Sequence, residues 1–127
     1  MNEDLFTVER QGEVIKGRTT GVNRAQLRRF NRGEIEPAIE LDLHGLNRQD
    51  ASEEVHKLIQ DSFAQGTRCV SVIHGRGLRS SSGPILKEAF INWITEGAFS
   101  NLILAVQSAP ADAGGTGATW ILIRRRR

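Results

Sequence analysis

A chain of 127 residues with 39% apolar and 25% charged side chains can bury one core, and its composition excludes a disordered polymer. The net charge of +2 hides 14 Arg against 3 Lys, a bias toward the planar phosphate binder that points to nucleic acid, although a GC-rich genome favours the same codons. A lone cysteine, Cys69, excludes an internal disulfide and suits a reducing compartment, and the longest apolar run, from Leu102 to Val106, is too short to span a bilayer.

Met1-Asn2-Glu3-Asp4 has neither the basic nor the apolar stretch of a signal peptide, so a cytoplasmic protein with no membrane partner is expected. Residues 1–38 read as a polar, Arg-containing N-terminal arm with Gly12, Gly17, Gly21 and Gly33 spread through it. Within it, Asn23 caps a short helix from Arg24 to about Asn31. On a helical period, Arg24, Arg28 and Arg32 fall on one side and Leu27 and Phe30 on the other. Pro37 ends the arm. From Ile39 the pattern changes to alternation: Ile39, Leu41 and Leu43 against Glu40 and Asp42, a half-buried strand. Asn47, with Asp50 after it, starts a helix. Its apolar face carries Ala51, Val55, Leu58, Ile59 and Phe63, and Gly66 stops it.

Arg68 to Ile73 is a more continuously apolar strand, expected at the centre of a sheet, with Cys69 as a buried structural thiol. A polar loop from His74 to Gly83 follows. Pro84 fits the first position of a second long helix, whose apolar face is Ile85, Leu86, Ala89, Phe90, Trp93 and Ile94 and which Gly97 ends. Asn101 to Gln107 and Trp120 to Ile123 are the last strands, joined through Gly114-Gly115-Thr116-Gly117. The order predicts an α/β fold: a two-layer β-α-β-α-β-β sandwich with a four-stranded mixed sheet and two helices. This domain runs over 39–124, after the arm 1–38 and before a basic tail at 125–127. The polar strand face with Glu40, Asp42 and His44 is left open or covered by the arm.

Three strings in this frame can carry chemistry. Asp42-Leu43-His44-Gly45 puts a carboxylate and an imidazole on one strand face, where the acid can fix the tautomer of the base. The same pattern fits a surface Asp-His pair at a strand end. His74-Gly75-Arg76-Gly77 follows the central strand, at the carboxyl edge where open α/β sheets bind ligands. There backbone amides and a guanidinium can converge on an anion, although an ordinary turn with a solvated Arg has the same sequence. Ser80 at the third glycine position rejects a dinucleotide fingerprint, and no Gly-Lys-Ser/Thr loop is present. Gly114-Gly115-Thr116-Gly117-Ala118-Thr119 can form an amide nest with Thr116 and Thr119 as hydroxyl donors, or merely a tight connection. Asp112 before it is a weak candidate ligand for metal or water. His56 reads as a surface or packing residue. Zinc spacings and a Gly-x-Ser-x-Gly elbow are lacking, so no structural metal or serine hydrolase is expected. Arg24, Arg28, Arg29 and Arg32 sit in a stretch free of acids from Gly21 to Gly33, and Arg124 to Arg127 end the chain; either run can lie along phosphates.

Taken in order, Leu41-Asp42-Leu43-His44-Gly45, His74-Gly75-Arg76-Gly77 and Gly114-Gly115-Thr116-Gly117-Ala118-Thr119 resemble the Smr (small MutS-related) domain over residues 39–124. The Arg-rich arm resembles the N-terminal extension of stand-alone bacterial Smr proteins. The resemblance implies a compact α/β domain like the C-terminal domain of a bacterial translation initiation factor. It also implies an endonuclease that nicks DNA or cleaves RNA, in some members messenger RNA on collided ribosomes. Carried over by motif, Asp42, His44, His74, Gly75, Arg76 and Gly77 form the active site, and Gly114, Gly115, Thr116 and Gly117 shape its rim. Gly45, Arg79, Arg24 and Arg28 are counted with the nucleic-acid-binding groups.

The chemistry expected from these residues is RNA cleavage by acid/base catalysis. His44, oriented by Asp42, or His74 takes the proton from a ribose 2′-OH, and the other protonates the leaving oxygen. Arg76 and the amides around Gly75 and Gly77 stabilise the phosphorane. No cofactor is required: the resemblance leaves a divalent metal open, but Asp42 is the one carboxylate in the first two strings, and two-metal hydrolysis wants several. The partners expected are RNA or DNA and, by resemblance, the ribosome. The competing reading is a non-catalytic nucleic-acid or ribosome-binding module. A weaker one is an arm, 1–38, that docks a partner protein.

Overall fold

The computed structural model describes residues 6–75, 83–97 and 100–126. In chain order they form β1 (Phe6–Gln11), β2 (Val14–Thr19), α1 (Arg24–Asn31), β3 (Ile39–Asp42), α2 (Arg48–Gln65), β4 (Cys69–Ile73), α3 (Gly83–Glu96), β5 (Ile103–Ser108) and β6 (Ala118–Ile123). Short 3-10 turns precede β5 and lead into β6. The strands make one mixed sheet in the order β1-β2-β5-β6-β4-β3. Only β3 and β4 run parallel, because α2 carries the chain back between them.

Local signals set the helix ends. The Asn23 side chain accepts from Gln26 N at 3.0 Å and that of Asn47 accepts from Asp50 N at 2.8 Å, each satisfying an orphan amide of a first turn. Gly66 ends α2 in the left-handed conformation, φ 81°, while Thr67 N reaches back to Ser62 O.

Two clusters form the core, one on each side of the sheet. Val70, Val72, Ile121 and Ile123 pack with Val55 and Ile59 of α2 and Phe90 and Ile94 of α3. The alternate residues of the same strands, Cys69, Trp120 and Leu122, pack against Phe30 of α1. The molecule therefore has three layers, not two, because α1 closes the second face. The sheet has six strands, not four: the segment read as an arm supplies a hairpin that extends it past β5. The sequence hid this hairpin at Gly17. Its position faces inward, where alternation calls for an apolar residue, but a Cβ there would lie 2.9 Å from Phe6 Cε1 and 3.1 Å from Val106 Cγ2. Among the described residues, no helix is long and apolar enough to cross a membrane.

Candidate functional site

Register brings the three strings to one edge of the sheet. Asp42 pairs with Ile73 across β3 and β4, Ile73 pairs with Ala118 across β4 and β6, and Ser108 pairs with Thr119 across β5 and β6. The residues just past β3 and β4 and just before β6 therefore leave the sheet side by side. Backbone bonds fasten them: Leu43 N donates to Ile73 O at 2.9 Å, and His74 N and Gly75 N both donate to Gly117 O, at 3.1 and 2.9 Å.

In the first string the chain turns after Leu43, which is buried under the helices. His44 and Asp42 are exposed. The Asp42 carboxylate accepts from the backbone amide of His44 at 2.8 Å, an Asx-type turn. It thus fixes the main chain of His44 rather than its ring, contrary to the triad-like pairing expected from strand alternation. Gly45, φ 82°, is exposed and completes the turn in a conformation that favours glycine.

His74 has the opposite surroundings. It is 4% exposed, packed 5.3 Å from the Phe90 ring of α3. Its Nδ1 lies 2.9 Å from Gly75 O and its Nε2 lies 2.8 Å from Thr119 Oγ1. A carbonyl only accepts, so Nδ1 carries the proton; in the neutral ring Nε2 then accepts from the Thr119 hydroxyl. Burial pushes the imidazole below its ordinary pKa, the bond to Gly75 O opposes this, and the Lys87 ammonium adds to the lowering. A nearly enclosed neutral ring with both nitrogens engaged is a clasp between the second string and β6. It does not have the open geometry expected of a leaving-group acid. Thr119, read as a phosphate donor, is fully buried and serves His74 instead. Gly75 lies in this clasp with φ 83°, and its amide is taken by Gly117 O. Arg76, Gly77 and Arg79 lie outside the described residues.

The glycine-rich string folds as consecutive 3-10 turns, not as an open nest. Gly115 N donates to Pro110 O and Gly117 N to Gly114 O, so those amides point into the loop. Gly114 and Gly115 take φ 114° and 55° to make the turns. Lys87 of α3, which no motif singles out, is buried beneath this loop. Its Nζ donates to Thr116 O at 3.2 Å and to Glu13 O of the β1–β2 turn at 2.7 Å. Arg24 and Arg28 project from α1, exposed, on the other face of the sheet. His56 is half-buried on α2, and Asp112 is exposed in the turn before Gly114. Cys69 is buried, and burial raises its thiol to about 12.

The Smr domain family model matches residues 41–124 and so runs through all three strings. The ribosome rescue factor SmrB of Shewanella sp. (strain W3-18-1) is 36% identical over 103 residues, which are 81% of this chain and 54% of that protein. The SmrB of Shewanella oneidensis is 34% identical over the same shares. The chain thus spans about half the length of the curated relatives it matches. Among solved structures, YdaL, a stand-alone small MutS-related protein from Escherichia coli, superposes with a TM-score of 0.73 at 26% identity, covering 87% of this chain and 82% of its own. The Smr domain of Thermus thermophilus MutS2 superposes with a TM-score of 0.59 at 25% identity over 68% of this chain and 99% of its own. With the family match spanning the very strings that the sheet gathers on one edge, the chain belongs to the Smr domain family.

Proposed function

We propose that this protein is a nucleic-acid endonuclease acting mainly on RNA, and that it works in the cytoplasm with the ribosome as a partner. The observation that carries the reading is the joining of the three family strings, through Ile73 O and Gly117 O, at one edge of the sheet. The ribosomal partner is suggested by the printed name of the SmrB relatives. His44 is the imidazole that solvent and substrate can reach, on a main chain fixed by Asp42. It takes the proton of a ribose 2′-OH, whose oxygen then attacks the adjacent phosphorus; the P–O5′ bond breaks to leave a 2′,3′-cyclic phosphate, and the departing 5′-oxygen takes its proton from water. Arg76 pairs with the charge that develops on the phosphorane. His74 is a positioning residue: it ties the second string to β6 and so sets where Arg76 and Gly77 begin. Gly45 and Gly114 line the approach.

A specific observation favours the second reading, a non-catalytic nucleic-acid or ribosome-binding module: His74 is enclosed, which leaves one accessible imidazole among the described residues of this edge. Purified protein on matched RNA and DNA, with and without chelator and with product ends mapped, separates the two. RNA ends bearing a 2′,3′-cyclic phosphate are expected. Loss of cleavage with chelator, or equal cutting of DNA, points to a metal-bound water instead. Binding that weakens steeply with salt but never cleaves either nucleic acid leaves the binding module.

A further inference from the structure

Three guanidinium groups from separate parts of the chain gather at the other end of the sheet, where β4 begins and β6 ends. Arg68 stands just before β4. Its backbone carbonyl accepts from Ile123 N at 2.7 Å, and its Nε donates to Ile123 O at 3.3 Å. On its other side, the side-chain amide of Gln26 on α1 meets the Arg68 guanidinium, and with its oxygen turned toward the arginine it accepts from Nη1 and Nη2. Arg29 lies one helical turn beyond Gln26 on the same side of α1. Arg125 follows β6 on a stretch of chain that is held in place: Arg124 N donates to Leu102 O, Arg124 Nε to Asn101 O, and Arg126 Nη1 to Ala64 O. The stretch Arg124 to Arg126 is thus tied to the body of the domain.

This cluster is under-neutralised. Glu34 is 3.9 Å from Arg29 Nε but makes its close contact, 2.9 Å, with Arg32. Among the described residues, no carboxylate pairs with Arg68 or Arg125. Burial holds Arg68 below the ordinary arginine range, and the like charges of Arg125 and Arg29 lower it further. An anion placed among the three removes that repulsion, and the planar fork of arginine matches a phosphate bidentately. More basic residues lie on the same face of the sheet, on the far side of β5. Lys16 pairs in the sheet with Gln107, whose amide donates to Phe30 O of α1, so both face α1. Lys16 and Arg18 line a groove with Leu27 and Asn31, in which Glu9 is the one acid, and Arg24 and Arg28 stand exposed on α1.

We propose that Arg29, Arg68 and Arg125 form a phosphate-binding site for the backbone of a single-stranded nucleic acid. It would hold the strand about 20 Å from the motif edge, the length of β6 at about 3.3 Å per residue. The inference rests on the nucleic-acid reading above and adds to it a second point of attachment.

The test is fluorescence titration of the full chain with a labelled single-stranded oligouridylate across a potassium chloride series. It compares the native chain with Arg29→Gln/Arg125→Gln and with the control Lys57→Gln on α2. Arg29, Arg125 and Lys57 are exposed, so these variants keep the fold. The double variant is expected to bind about tenfold more weakly near physiological salt, with a log–log salt slope shallower by about 1.4, while the control matches the native chain. Equal affinity and slope for the native chain and the double variant overturn this site and leave the nucleic-acid reading standing. Displacement of the RNA by polyglutamate as readily as by unlabelled RNA also overturns it, because the cluster then reads charge and not phosphate. No salt-dependent binding of RNA or single-stranded DNA by the native chain sinks the parent reading and this site together.

Discussion

His44 and His74 stand in the same local pattern, a histidine before a glycine at the end of a strand, yet they differ in exposure and in what their rings touch. His44 is exposed, so His44→Ala is expected to cut cleavage by about 10²- to 10⁴-fold and leave the melting temperature unchanged. His74→Ala removes both ring bonds, strands the buried Thr119 hydroxyl and opens a gap beside Phe90. It is expected to cost about 2–4 kcal/mol in urea unfolding. Unfolding that matches the native chain would mean His74 is no clasp. A pH series checks the same point. An ordinary imidazole titrates near 6.5, and the folded ring titrates lower, so the unfolded chain binds the proton first. The stability tied to neutral His74 is complete above about pH 6.5 and is lost as the pH falls from there through the depressed folded value. The urea midpoint is therefore expected to drop between about pH 7 and 5, and His74→Gln to drop less. Sequence could place both histidines at strand ends. It could not say which ring turns outward, because that depends on Phe90 and Thr119, distant in the chain.

At the scale of elements, caps and periodicity located the helices well. Asn23, Asn47 and Gly66 occupy the cap positions their types predict, since the orphan amides and carbonyls of a helix end are satisfied by near neighbours. The β1–β2 hairpin was missed, since its inward positions are Phe6, Val8, Ile15, Gly17 and Thr19, too mixed to read as a strand face. Gly17 is small because Phe6 and Val106 fill the space in front of it. Gly17→Val is therefore expected to destabilise the chain by about 1–3 kcal/mol through overpacking, measured as a shift in urea midpoint. A neutral result would show that the hairpin gives way easily. Lys87 was invisible for a related reason: a lysine in an amphipathic helix reads as solvent-facing, and only the packing of the β1–β2 turn and of the glycine-rich turn before β6 around α3 brings Glu13 O and Thr116 O to its ammonium.

For the whole molecule, the segment 6–38 is built into the sheet and its second face rather than standing apart as an arm. β2 covers the edge of β5, and Phe30 of α1 is fully buried over Trp120 and Leu122. Deleting residues 1–38 exposes an apolar sheet face and an unpaired strand edge. Such a truncation is expected to aggregate or to unfold at much lower urea than the full chain, as sedimentation and a urea melt would show. A truncation that stays monomeric and as stable as the full chain would return the segment to the status of an arm. The residue types and their spacing alone determined the α/β alternation from Ile39 onward, the helix caps, the buried thiol and the three glycine-flanked strings, because each depends on groups close in sequence. Tertiary structure decided the six-strand order, the third layer, the burial of His74 and the meeting of Arg29, Arg68 and Arg125. These depend on which distant strands pair and which faces the chain then covers, and no local pattern encodes that.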